Sequence, residues 1–405
     1  MVSLVRRQPP VVIAVAFAAV VSFMGIGLVD PILPSIAAKL NATQTQSELL
    51  FTTYLALTGV AMFFTSWVSS RIGTKKTLLI GLGLVVVFAV ACGLAPAVAP
   101  IIGFRAGWGV GNALFISTAL AAMVSAATGG SASAIVLYET ALGVGFAVGP
   151  LTGGLLGSIT WRAPFLGSAT LMLIGLVAIA ILMKNGHQLH KEPVPVSAPF
   201  KALGDPGMGT ISIAAFFYNM AFFTTLAFPP FALARLHVAD AVTIGLVFFG
   251  WGSLLAISAV LVAPNLTRYF RRTTIILAAE VMLACLLIGC ALAVNSVAGL
   301  MTCVILAGIP LGLLNTMLTE CSMEASDLPR PVASSTYSGC RFLGGAIAPP
   351  LCTFLAGATA VWVPFVYGAA MILVSSAIIA VRRSALARAD SVGRESDEPE
   401  QQLAQ

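Results

Sequence analysis

The sequence predicts an all-α membrane protein with twelve transmembrane helices in two pseudo-symmetric six-helix bundles. Three observations carry that expectation. First, 59% of the 405 residues are hydrophobic and only 9% are charged, with a mean hydropathy of +0.99. A soluble domain carries charge on about a quarter of its residues. Second, the apolar residues form long continuous runs separated by short polar turns. A span takes roughly 20 apolar residues, so twelve consume roughly 240 and leave short connections. Third, the second half repeats the first at an offset of about 200 residues. Runs this long exclude a β-barrel, whose strands are short and alternate in polarity.

Taken in order, the runs fall near 11–37, 49–69, 76–95, 98–125, 131–158, 163–183, 209–234, 240–264, 273–294, 296–320, 331–356 and 360–381. Between the sixth and seventh, residues 184–208 are polar and proline-rich, which suits a cytoplasmic linker between an N-terminal half (1–183) and a C-terminal half (209–382). Residues 383–405 are charged and polar, and a disordered cytoplasmic tail is expected there.

Lysine and arginine orient the chain. With the N-terminus inside, sixteen of the 21 basic residues fall on the cytoplasmic side, three outside (Lys39, Arg162, Arg235) and two within spans (Arg105, Arg341). This asymmetry places both termini in the cytoplasm; a plasma-membrane location is expected. The net charge of +6 is therefore a membrane-topology signal and implies no nucleic-acid partner.

The repeat is carried by particular residues. Tyr138 matches Tyr337, Gly145 matches Gly344 and Pro150 matches Pro349, all at offset 199; Asn112 matches Asn315 at offset 203. The basic turn after the second span (RIGTKKTLLI) is echoed after the eighth (RYFRRTTII). Gly145, Gly149 and Gly153 recur every four residues and share one helix face, which lets a neighbouring helix approach closely. Two readings of that face stay open: a tight crossing, or a hinge that seals one side of a pathway. Pro150 removes a backbone donor inside the same helix.

The chain resembles the major facilitator superfamily over about residues 11–382. Gly145, Gly149, Pro150, Gly153 and Gly154 match motif C (G-x-x-x-G-P-x-x-G-G), which is associated with the antiporters of that family. Arg71, Gly73 and Lys75 match the cytoplasmic motif A (G-x-x-x-D-R-x-G-R-K), with Ser66, Ser70 and Thr74 standing where the family has Gly, Asp and Arg. GFRAGWGVGNA, containing Arg105, resembles motif B, and GLVDPILP resembles the motif D region of drug/proton antiporters, with Asp30 at its acidic position. The resemblance implies a secondary active transporter, here an exporter of small hydrophobic or amphiphilic compounds such as drugs, exchanging them for protons. The competing readings are a proton-coupled importer of a small metabolite and a non-transporting sensor or assembly protein of the same fold.

The residues themselves suggest how coupling would work. A carboxylate beside a cation holds its charge, and moved into an apolar wall it takes up a proton. Asp30 is the expected proton carrier and Arg105 its partner. The alternatives are an interfacial Asp30 and an Arg105 bonded to carbonyl groups. Asn112, Asn315, Tyr218, Asn219 and Phe222 are candidate substrate contacts, since an apolar, aromatic wall with a few amides suits lipophilic solutes. Glu139 and Arg341, in the paired fifth and eleventh spans, are a candidate ion pair between halves. Glu280 lies near enough to the start of the ninth span to snorkel, and Glu320 and Glu324 mark the end of the tenth. The seven cysteines read as packing residues. His187 and His190 lack acidic or cysteine companions, so neither metal nor cofactor is expected. No Walker loop or other enzyme signature is present, so the expected partners are solute, protons and lipid, with the protein a monomer.

Overall fold

The computed structural model describes residues 8–28, 32, 36, 39–128, 130–183, 193–238 and 240–395. Among them, twelve helices are long and apolar enough to cross a membrane. The first six are α1 (Pro10–Gly27), α2 (Gln44–Ile72), α3 (Thr74–Leu94), α4 (Val98–Ala126), α5 (Gly130–Ile159) and α6 (Ala163–Leu182). A short α7 (Ala198–Ala202) precedes the seventh span, formed by α8 (Pro206–Ala227) and α9 (Pro229–Arg235). The eighth is α10 (Ala241–Ile257), continued by a π turn (Ser258–Val262) and α11 (Ala263–Leu266). The last four are α12 (Arg272–Leu292), α13 (Val297–Glu324), α14 (Arg330–Ala358) and α15 (Val363–Val381).

Helix starts follow local chemistry. Thr43 and Gln46 close a reciprocal capping box on α2. Asp205 accepts from the Met208 N–H at 2.8 Å, ahead of Pro206 at the first turn of α8. Asp240 accepts from the Thr243 N–H at 2.7 Å on α10. Each cap satisfies a backbone donor that has no partner within its own helix. Between α2 and α3 the chain turns at Gly73, whose φ of 87° and ψ of 155° suit only glycine. A methyl group there would meet nothing within 4 Å, so the cost of a side chain is purely backbone strain. Gly73→Ala is expected to lower stability by about 1–3 kcal/mol, measured as a shift in thermal unfolding of the purified protein.

The two bundles are built alike. In the first, α1 packs on α5 and α6, α4 on α2 and α3, and α3 on α6. In the second, α8 packs on α14 and α15, α13 on α10 and α12, and α12 on α15. Each of these main contacts in one half thus has its counterpart in the other. The halves meet along two seams, α2 against α14 and α5 against α10. Both seams are lined by small residues: a methyl at Gly59 would sit 2.8 Å from the Leu343 N, and one at Gly252 2.5 Å from the Ala147 Cα. Without a hydrophobic drive between helices in lipid, such close backbone approach is what holds them.

The structure corrects the expected tail. Residues 383–395 are ordered as a 3₁₀ turn (Arg383–Leu386) followed by α16 (Ala387–Glu395). Leu386 and Ala389 are buried, and Asp390 accepts from the Thr273 N–H (3.0 Å) and hydroxyl (2.7 Å) at the start of α12. Arg272 binds Glu320 (2.8 Å) and Glu324 (3.1 Å), and also donates to the Ala389 carbonyl. Among the described residues of the tail, Arg383, Arg388 and Asp390 all have partners, a property that composition does not register. The seventh span begins at Pro206 rather than 209, and residues 193–205 pack on the first half: Phe200 stacks on Phe63 at 5.1 Å. Residues 184–192 and 396–405 lie outside the described residues.

Candidate transport pathway

Each bundle holds a buried polar cluster centred on one of the paired asparagines. In the first, Arg105 lies seven residues into α4, about 10 Å along it by helix rise, and is fully buried. Its Nε donates to the Leu50 carbonyl (3.2 Å) and Nη1 to the Gly25 carbonyl (3.5 Å). The guanidinium also lies 4.2 Å from the Tyr54 ring centroid and 5.0 Å from that of Trp108. Carbonyl dipoles and two ring faces offset the cost of a cation within the membrane. Two turns along the same helix, Asn112 donates to the Tyr54 hydroxyl at 2.5 Å and accepts from Ser22. One network therefore ties α1, α2 and α4 together. Asp30, the expected partner of Arg105, lies outside the described residues.

The second bundle repeats this arrangement with different chemistry. Asn315 accepts from the Tyr218 hydroxyl (2.8 Å) and from Arg341 Nη2 (2.5 Å). Asn219 donates to the Arg341 carbonyl at 2.6 Å. Each asparagine thus takes a hydroxyl from the first span of its own half, Ser22 or Tyr218. The Asn315 Nδ2 and Asn219 Oδ1 atoms are buried and have no hydrogen-bond partner among the described residues. Buried polar atoms are usually paired, so these two stand out beside the Asn315–Arg341 contact.

Phe222 sits at the centre of an aromatic wall shared by both halves. Its ring lies 5.3 Å from Phe146 of α5, 5.5 Å from Trp251 of α10 and 6.1 Å from Tyr218. Of the aromatic residues in the seventh span, Tyr218, Phe222 and Phe223 are buried while Phe216 and Phe217 are half-buried. The sequence marked the α8 residues of this wall but missed Trp251 in it, and missed Tyr54 and Trp108 in the Arg105 cluster. Trp108 sits one turn from Arg105, a spacing that was available as a signal; Tyr54 and Trp251 had none.

The other buried charges depart from their expected roles. Glu139 and Arg341 do not form an ion pair among the described residues. Glu139 instead accepts from the Thr319 hydroxyl at 2.8 Å, a hydrogen bond that crosses between halves. Glu280 does not snorkel. It is fully buried between α12 and α15, with the Ser375 hydroxyl donating to it at 2.6 Å. Its distance from the helix start suggested an exit to water, yet the face it occupies points at α15. Glu320 and Glu324 do more than mark a helix end, since both hold Arg272.

The motif C glycines press on α1. Methyl groups at Gly145, Gly149 and Gly153 would lie 2.6 Å from the Val20, 2.7 Å from the Met24 and 2.3 Å from the Leu28 carbonyl oxygen. Gly154 is buried in the same helix, and Pro150 lies against Gly27, where a methyl would sit 3.1 Å from its Cδ. The opposite side of α5 meets α10 across the seam. The helix is therefore gripped by its own bundle on one side and by the other bundle on the next. In motif A, Arg71 stacks on Trp67 (5.4 Å) and Lys75 donates to the Ala180 carbonyl at the end of α6 (2.8 Å).

Two like bundles of membrane-spanning helices, meeting along small-residue seams with buried charge and amide clusters inside each, are the fold of a membrane transporter. The chain belongs to the Major Facilitator Superfamily, whose family model matches residues 15–349. It is 45% identical over 380 residues to the multidrug efflux protein YfmO of Bacillus subtilis (strain 168), covering 94% of this chain and 95% of that one. The class C tetracycline resistance protein of Escherichia coli is 27% identical over 193 residues, 43% of this chain and 45% of the other. The crystal structure of the human organic anion transporter MFSD10 (TETRAN) superposes with a TM-score of 0.75, over 91% of this chain and 99% of that chain. At 13% identity that likeness concerns the fold alone.

Proposed function

We propose that this chain is an exporter of small hydrophobic or amphiphilic compounds, drugs among them, driven by protons moving inward. The observation that carries the reading is the near full-length 45% identity to a multidrug efflux protein. The aromatic wall around Phe222 supports it, since ring faces with few polar groups suit many lipophilic solutes without demanding one polar pattern, and Asn112, Asn219 and Asn315 are the candidate amide contacts. Tyr218 and Phe222 supply the faces. Both termini and the segment 184–208 are assigned to the cytoplasm of a plasma-membrane protein by the basic residues, and the transporting unit is a monomer.

Asp30 carries the proton in this reading, with Arg105 favouring its charged form when the two approach. The glycine face of α5 lets the halves rock, since small residues on both sides allow sliding at close contact. Proteoliposomes with an imposed pH gradient, loaded with dyes and antibiotics in turn, test the proposal. Wild-type protein is expected to move at least one of these against its gradient, and Asp30→Asn to lose the pH-driven component while still exchanging solute at equilibrium. Full pH-driven transport by Asp30→Asn would remove Asp30 from the mechanism. The absence of any gradient-driven transport in wild type across the panel would remove the export reading.

A further inference from the structure

The basic turn of motif A borders a cavity of about 300 Å³. Arg71 and Lys76 bring positive charge to it, and Ser66, Ser70 and Thr74 bring hydroxyl groups. Val194 and Pro331 complete its wall, so the inter-half segment and the start of α14 both reach it. Among the described residues none of Arg71, Lys75 and Lys76 forms an ion pair. Lys75 is engaged with the Ala180 carbonyl, whereas Arg71 and Lys76 are exposed.

The cavity also receives the start of α3, a helix of 21 residues. Its first-turn N–H groups have no acceptor within the helix. Among the described residues no side chain caps them, and no acid stands in the first turn. Helix N-termini of this kind favour anions through both the free donors and the dipole. A second, independent feature points the same way. Ser66 lines the cavity, is only 1% exposed, and its hydroxyl has no hydrogen-bond partner among the described residues. The Ser70 hydroxyl holds the Val194 N–H at 3.0 Å, where an aspartate would have added negative charge.

We propose that this cavity binds a phosphate-bearing anion, which supplies the negative charge that Ser70 does not. A tetrahedral oxyanion matches the donors that line the cavity: the Arg71 guanidinium, the Lys76 ammonium, the N–H groups at the start of α3 and the Ser66 hydroxyl, since several phosphate oxygens can each take a donor; the Ser70 hydroxyl is already given to the Trp67 carbonyl. A single carboxylate would use only part of that donor set. Because the walls come from α2, α3, the inter-half segment and α14, the bound anion joins the two halves at their basic face. The phosphate belongs either to an anionic lipid headgroup or to a soluble phosphate.

Thermal unfolding of the full-length protein in lipid nanodiscs tests this without any transport measurement, so its result is separate from that of the export reading. One arm compares phosphatidylcholine discs with discs that also contain phosphatidylglycerol. The other titrates inorganic phosphate into phosphatidylcholine discs. The unfolding midpoint is expected to rise in at least one arm, as ligand binding to the folded state requires. A rise with phosphatidylglycerol alone assigns a lipid headgroup; a rise with inorganic phosphate assigns a soluble anion. Ser70→Asp places a carboxylate in the cavity and is expected to weaken the response at least tenfold in half-saturating ligand, as is the Arg71→Gln/Lys76→Gln double variant. Lys201→Gln, an exposed lysine outside the cavity, is expected to respond as wild type. If the double variant does not fold, Ser70→Asp carries the comparison alone. No rise in either arm, or a full rise that survives in Ser70→Asp, overturns the proposal.

Discussion

Gly153→Val is expected to abolish gradient-driven transport and to destabilise the protein. A first side-chain carbon at this position would lie 2.3 Å from the Leu28 carbonyl oxygen and 3.0 Å from its carbonyl carbon. Those atoms are backbone, so they cannot swing aside as a flexible side chain would. Either α1 and α5 separate or the two helices shift in register. Overpacking of this kind costs about 1–3 kcal/mol. In lipid the loss is not recovered by burial, because separated helices find tails as apolar as one another. Gly145 and Gly149 repeat the contact one and two turns away, so the whole face moves together. Gly103→Ala and Gly357→Ala serve as internal controls, since neither has an atom within 4 Å of an added methyl; both are expected to stay within about 0.5 kcal/mol of wild type. Unfolding in detergent and uptake into proteoliposomes measure the two effects. Wild-type transport by Gly153→Val would show that the α1–α5 contact is not part of the moving machinery.

Arg105→Lys is expected to lose transport by about tenfold or more despite keeping the charge. The guanidinium performs several tasks from one position, bonding carbonyls of α1 and α2 while lying over the rings of Tyr54 and Trp108. A flat, delocalised cation can stack and donate at once; a lysine ammonium is a strongly hydrated point charge that does neither as well. The replacement therefore weakens the tie between three helices and leaves a positive charge with poorer solvation. Arg105→Ala is expected to cost about 2–5 kcal/mol in stability, as removal of a large buried side chain does. The informative comparison for the lysine variant is pH-driven uptake against solute exchange at equilibrium. A coupling role predicts that the first falls more than the second. Equal loss of both would make Arg105 a structural tie alone, and full retention of both would leave it without either role.

The sequence carried the spans because hydropathy is a local property: each run of apolar residues reports its own burial wherever its neighbours lie. It carried the pairing of halves for a similar reason, since the repeat of Tyr138 with Tyr337 and Asn112 with Asn315 survives in linear order. The glycine face was legible because spacing by four fixes a common helix side whatever the partner. Motif A could be read as three matches and three departures. What the departures mean emerged only when Ser70 was found bonded to Val194, far along the chain.

Partners were another matter. Glu280 and Glu139 were both visible as charges in apolar runs, but their hydrogen bonds go to Ser375 and Thr319, 95 and 180 residues away. Nothing local to either glutamate encodes that choice. The ordered tail shows the same limit, because Asp390 gains its meaning from Thr273, 117 residues earlier. The twelve-span, two-bundle architecture, the basic face and the close-packing face of α5 were thus determined by the sequence alone. Which buried polar group meets which, and that Arg105 lies over two rings while Arg341 meets an amide, was decided by the rotation of each helix about its axis. That rotation follows from the packing of all twelve helices together, and no single segment contains it.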